Sequence, residues 1–302
     1  MLAHAVESYL ALRRACGFEL DRIGKRLRSF ATFSDARSKS HVCSETALEW
    51  AGLARSVTQR ARRLGDVIRF ARSVRAEDPR HELPPAVFGS QNRSRPVPYI
   101  FSRHDIELLV QAVSQTGWRS LRQDTYSTFF ALLACTGLRV SEAIHLRHED
   151  ITPDGLVIRC SKFRKNRLVP LHETARAQLE QFLERRRRYA PFDDHVFVSL
   201  RETPLLLRDV ERAFHAVVTK IGISCQPGRP RPTLHSLRHT FAVRALESCP
   251  DSRDCITQHM LALSTYLGHS KVAHTYWYLE ATPVLMRKVA ERCESFVMGD
   301  KP

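Results

Sequence analysis

Apolar residues recur along the first 77 positions at helical spacing. In VESYLALRRACGF, Val6, Tyr9 and Leu10 fall at i, i+3 and i+4 and share a face. Arg13, at i+7, falls on the same side and breaks the stripe, and Gly17 stops the helix. DRIGKRLRSFATFSDA repeats the pattern through Ile23, Leu27, Phe30 and Phe33. SETALEWAGL predicts a third helix with Ser44 as N-cap and Ala47, Leu48 and Leu53 inside. SVTQRARRLGDVIRFARSVR predicts a fourth that buries Val57, Ala61, Leu64, Ile68 and Ala71 and leaves a basic opposite face. Residues 1–77 therefore read as a small helical bundle.

From 78 to 102 the periodicity stops. Pro79, Pro84, Pro85, Pro96 and Pro98 fall here, and proline removes a donor and disfavours helix before it. This stretch reads as a basic, extended linker. Periodicity returns in a second domain, 103–302. RHDIELLVQAV and QDTYSTFFALLACTG are helical, the latter ending at Gly137, and SEAIHLRHED starts another helix with Ser141 as N-cap. GLVIRCSKFRKNRLVPL places Val157, Ile158, Leu168 and Val169 on either side of a basic centre, as two strands joined by a polar turn do. ETARAQLEQFLERRRRY and residues 234–248, 257–267 and 283–297 are helical. The fold class is mainly α (α+β): a small N-terminal bundle and a larger, mostly helical domain with a small antiparallel sheet.

Composition narrows the function. At 302 residues with 43% hydrophobic positions, the chain can bury a core in each of two domains. Its eight cysteines include no CxxC pair, so they read as small buried apolar residues in a reducing compartment. The apolar runs are too short to cross a bilayer, and Glu7 interrupts the first, which places the protein in the cytoplasm, away from membranes. Lys and Arg number 47 against 32 Asp and Glu, a net charge of +15. Such a field attracts polyanions, and arginine, which far outnumbers lysine here, forks well onto phosphate. Double-stranded DNA is the expected partner. There is no GxxxxGK[ST], GxGxxG, HExxH or GxSxG segment, so no nucleotide, metal or other cofactor is expected.

Four short segments carry candidate chemistry. TGLRVSE places Arg139 in a joint between helices, where backbone N–H groups help hold an anion, although alone it reads as a surface arginine. SKFRKNRLVP offers a hairpin lysine that enters a groove or is simply solvated. In LHSLRHTFA, His235 and Arg238 share a helical face and clamp one phosphate, or form a structural pair with a carboxylate. LGHSKVAHTYWYLE ends with Tyr276 and Tyr278. Amphipathic packing accounts for those aromatics as readily as a reacting phenol does.

In this order, the four segments resemble the boxes of the tyrosine recombinase (phage integrase) family. The resemblance covers the second domain, and the bundle and linker resemble that family's core-binding domain and hinge. It implies that Arg139 and Arg238 hold the scissile phosphate, that Glu142 supports Arg139, and that Lys162 is the hairpin catalyst, with Lys165 its neighbour and competitor. His235 and His269 match the two histidines. Nine residues after the second histidine selects Tyr278 as nucleophile, with Tyr276 the alternative and Trp277 between them on another face. Phe163 stands where the family often has glycine, and YWYLEATP departs from its usual ending. The opening YLALRRACGFEL and the TYWYLEATP ending are similar to recombinases of mobile elements, including those found in adjacent sets of three.

The resemblance implies a site-specific recombinase that cleaves and rejoins DNA through a 3′-phosphotyrosyl link, for integration or excision. It would work as a homo-tetramer on paired sites, alone or with related recombinases, its last helix docking on a neighbour. A type IB topoisomerase and a non-catalytic helical DNA-binding regulator are the competing readings.

Overall fold

The computed structural model describes residues 2–89, 98–118, 120–161, 165–189, 193–223, 230–248 and 253–269, and positions 272, 275 and 278. These residues are mostly helical with one small antiparallel sheet, as the hydrophobic pattern predicts. The chain divides into two compact units, Met1–Arg95 and Pro96–Pro302.

The first unit holds α1 (Leu2–Ala15), α2 (Asp21–Asp35), α3 (Ser44–Gly52) and α4 (Val57–Val74). Helices α1 and α3 each pack on α2 and α4. Val6 and Leu10 are buried with Leu27, Phe30, Leu64 and Phe70. Arg13 is absorbed by stacking its guanidinium 4.2 Å over the Phe18 ring. Three expectations are corrected. Cys43, not Ser44, is the cap of α3, because the Ser44 N–H is taken by the Glu82 carboxylate at 2.7 Å. Leu53 lies past the end of α3 and is 64% exposed, while Trp50 turns inward. In α4 the first turn, with Val57, stays outside the core, and Val67, Phe70 and Val74 widen the buried face further along. Some of the basic side of α4 is already engaged: Arg69 and Arg26 hold the buried Asp66, and Arg60 and Arg63 donate to the carbonyls of Ala54 and Trp50.

The proline-rich stretch is anchored at both ends. The Glu82 N–H donates to the Val42 carbonyl and His81 is buried, while Tyr99 and Phe101 are buried in the second unit's core.

The second unit holds α5 (Arg103–Ser114), α6 (Ser120–Thr136), α7 (Val140–Ile144), β1 (Ile151–Thr152), β2 (Gly155–Ser161), β3 (Lys165–Val169), α8 (Glu173–Arg187), α9 (Leu207–Lys220), α10 (Leu234–Glu247) and α11 (Arg253–Tyr266). Helix α6 packs against α5, α8 and α10 and buries Tyr126, Phe129, Phe130, Leu132 and Leu133, its apolar residues concentrated in the second half. The sheet runs β1-β2-β3, all antiparallel, with Leu156 opposite Val169 and Ile158 opposite Arg167. Strand β1 and helix α9 add to the expected elements. The helix predicted for 283–297 lies outside the described residues. Among those residues no helix is long and apolar enough to cross a membrane.

Candidate active site

Helix α6 ends at Gly137, whose φ of +60° is left-handed, and a Cβ there would lie 2.5 Å from the Phe241 ring. The chain can therefore turn at once into α7. Arg139, not Ser141, is the N-cap residue of α7: its backbone N–H donates to Glu142 Oε2 at 2.9 Å. Its side chain also donates to Glu142 Oε1, at 2.6 Å. Glu142 accepts a second pair of bonds from Arg167 on β3, at 2.9 and 2.7 Å. Burial of Glu142 pushes its carboxyl upward. The hydrogen bonds and charge of Arg167, with the Arg139 N–H and charge, outweigh that and hold the pKa at about 2. Arg167 also donates to the Tyr266 carbonyl at 2.8 Å, so one guanidinium links the sheet, α7 and the end of α11.

Helix α11 closes in a Schellman turn. The Gly268 N–H returns to Thr265 and the His269 N–H to Ser264, with Gly268 at φ +64°. Two carbonyls of this turn receive the two arginines. Arg139 Nη2 donates to Gly268 O at 2.8 Å, and Arg238 Nη2 donates to Leu267 O at 2.6 Å. Arg238 Nη1 reaches the carbonyl of Gly137 at 2.6 Å. Guanidiniums from distant parts of the chain thus end on adjacent peptide groups. Arg238 is 2% exposed, and burial together with the charge of Arg139 lowers its pKa to about 10. Two cations held this close form a site for an anion.

His235 opens α10, one turn before Arg238. Its pKa falls to about 4, through desolvation first and then the charges of Arg238 and Arg139. The residue keeps an open path to solvent, which tempers the desolvation, while both arginine charges act in the same direction. Its ring meets His239 edge-on at 4.3 Å, and His239 lies 5.4 Å from Tyr278. The Tyr278 ring is 3% exposed and stacks on His269 at 6.1 Å, while His269 Nδ1 pairs with Thr275 Oγ1 at 2.8 Å. The arginines, His235, His269, Glu142 and Tyr278 are therefore brought together. Lys162, Tyr276 and Trp277 lie outside the described residues, and Lys165 begins β3.

Three participants were not among the candidates. His239 was within reach, one helical turn after His235. Arg167 lies within the SKFRKNRLVP segment, but its partners, like that of Thr275, are set by the tertiary fold. Among the described residues one trio, His41, Asp78 and His81, lies within reach of a single metal ion. Arg80 already clamps the Asp78 carboxylate at 2.9 Å, and His81 Nδ1 accepts the Val42 N–H at 3.0 Å, so the donors that a metal needs are spent.

Residues 100–283 match the model of the Phage integrase family. The chain belongs to the phage integrase family. A relative along its whole length is the putative integrase/recombinase y4rB of Sinorhizobium fredii, 36% identical over 96% of both chains. Tyrosine recombinase XerC of Staphylococcus saprophyticus is 28% identical over 64% of this chain and 60% of its own. Among solved structures, the Tn1549 transposon integrase in complex with transposon right end DNA has a TM-score of 0.68 at 17% identity, covering 96% of this chain and 98% of that one. XerH recombinase bound to palindromic difH substrate has a TM-score of 0.66 at 15% identity, over 90% and 79%. This phage integrase family member is a tyrosine-type site-specific DNA recombinase.

Proposed function

We propose that Tyr278 is the nucleophile of this recombinase and that Arg139 and Arg238 clamp the scissile phosphate. One observation carries the reading: the two arginines share the 267–268 turn, with His269 next in the chain and its ring against Tyr278. The phenol oxygen attacks phosphorus, the bond to the 5′ oxygen breaks, and a 3′-phosphotyrosyl link forms. The arginines share the charge of the five-coordinate phosphorane, an effect worth about 10²–10³ in rate. A phenol with a free pKa near ~10 needs a base. His235 is neutral at pH 7 and able to accept the proton; an arriving phosphate offsets the arginine charges and makes it more basic. His239, between His235 and Tyr278, lies on the route of that proton. His269 binds a non-bridging oxygen, oriented by Thr275. Lys162 protonates the departing 5′-hydroxyl. A 5′-hydroxyl from another strand then reverses the step and joins the strands, and no cofactor enters it.

Residues 1–77 bind DNA as the core-binding domain, 78–102 serve as hinge and 103–302 as catalytic domain. Four protomers assemble on two sites in the cytoplasm, with a C-terminal helix docking in trans, to move a mobile element. The λ integrase tetramer bound to a Holliday junction, of similar fold with a TM-score of 0.61, supports that assembly.

The test is a duplex nicked beside the crossover, which traps the covalent adduct. Wild-type protein should trap its own site, and sequencing the trapped DNA identifies that site. Tyr278→Phe should trap nothing. If Tyr276→Phe is the dead variant, the nucleophile is misassigned; if any duplex is trapped equally, the enzyme is a topoisomerase.

A further inference from the structure

At the far end of α6 from Gly137, the second unit has a basic cavity apart from the arginine site. Its volume is about 390 Å³, and four arginines (Arg122, Arg201, Arg208 and Arg212) line it against one aspartate, Asp209. The first turns of α6 form one wall, so the cavity lies roughly 20 Å along that helix from Arg139 at 1.5 Å per residue. Arg208 and Arg212 approach Asp209 no closer than 3.9 and 3.8 Å, and both are 76% exposed. One carboxylate thus leaves most of the positive charge unspent.

Two further observations bear on what fills the cavity. The opposite wall is preorganised. Val198 bridges Pro204, Ser199 and Thr203 bond through both backbone and side chain, and Glu202 holds a left-handed φ of 58° to close the turn that presents Arg201. The rim is aliphatic: Leu200 is 46% exposed and Leu206 50%.

We propose that this cavity docks an acidic, leucine-rich peptide segment of a partner protein. The aliphatic rim receives the apolar side chains and the arginines receive the carboxylates. A nucleotide fits less well. The Trp118 face is taken by Arg122 at 4.3 Å, and Tyr126 packs on Phe130, so no open aromatic face is left for a base. A duplex presents a convex backbone that does not enter a cavity.

The probe is a fluorescent dodecapeptide alternating glutamate with leucine, titrated onto the full chain and followed by anisotropy. Its lysine–leucine counterpart and tripolyphosphate serve as competitors. The acidic peptide should bind, and Arg201→Glu with Arg212→Glu should weaken it at least about tenfold, as for interfacial arginine anchors. Trapping of nicked DNA by the same variant should be unchanged. Several results would overturn the proposal. These are no binding, unaltered binding by the variant, or displacement by tripolyphosphate as effective as by unlabelled acidic peptide. Loss of DNA trapping with the charge reversal would make the cavity part of the DNA interface. A change in sedimentation of the protein alone would assign it to a second copy of this chain. Failure of the Tyr278 assignment would leave each of these readouts intact.

Discussion

At the scale of single residues, the key element of the site is a carboxylate rather than an arginine. Glu142, with 7% of its side chain exposed, holds Arg139 on one side and Arg167 on the other. A buried charge that loses one partner is costly, by about 3–5 kcal/mol. Arg167→Ala should therefore lower the unfolding free energy by that order, read as a lower urea midpoint at unchanged m, and should lift the Glu142 pKa from about 2 toward the ordinary carboxylate range. Adding Glu142→Gln removes the stranded charge and should restore part of the stability, while trapping of nicked DNA stays low because Arg139 has lost its anchor. If the double variant is no more stable than Arg167→Ala alone, packing rather than charge explains the loss.

At the scale of elements, catalytic geometry rests on two helix ends. Gly137 closes α6 and Gly268 closes α11, and the carbonyls they turn outward hold the arginines. Gly137→Ala combines a left-handed backbone with a Cβ 2.5 Å from Phe241. Its cost should be at least about 1–3 kcal/mol, the strain of such a residue. The trapping rate should fall further than global stability explains, because Gly137 O is a direct ligand of Arg238. A variant that loses stability alone would show that Arg238 does not need this carbonyl.

The same helix ends mark what the sequence reveals. Most helices were legible because apolar residues return every three or four positions, and Gly137 and Gly268 were legible as stops. The caps were not: serine is the usual choice, but Ser44 and Ser141 are displaced by Cys43 and Arg139, whose neighbours are decided by long-range partners Glu82 and Arg167. Helix α9 has an intact stripe in Val210, Phe214 and Val217 and was open to the same reading, whereas β1, two residues long, is too short for any period to register. Arg139, His235, Arg238, His269 and Tyr278 could be picked out in order along the chain. The ring sequence His235–His239–Tyr278–His269 needed three dimensions.

At the scale of the whole molecule, two compact units with separate cores imply two unfolding transitions, each with its own titrating groups. His81 belongs to the first unit, where desolvation and the His41 charge lower its pKa. His148 and His235 belong to the second, both lowered by desolvation first and then by arginine charges. In each case the unfolded chain takes up the proton at a higher pH than the folded one. Stability must then fall as pH drops below about 6.5 toward the folded values. Glu142 acts in the same sense lower down: its contribution is complete above the unfolded carboxylate range and is lost as pH falls toward about 2. Urea titrations at pH 7.5, 6 and 5 should show both midpoints declining. His81→Gln keeps an acceptor for the Val42 N–H but cannot titrate, and so should flatten the decline of one transition only. If it flattens both, the two units unfold as one, and the independence of their cores has no thermodynamic meaning.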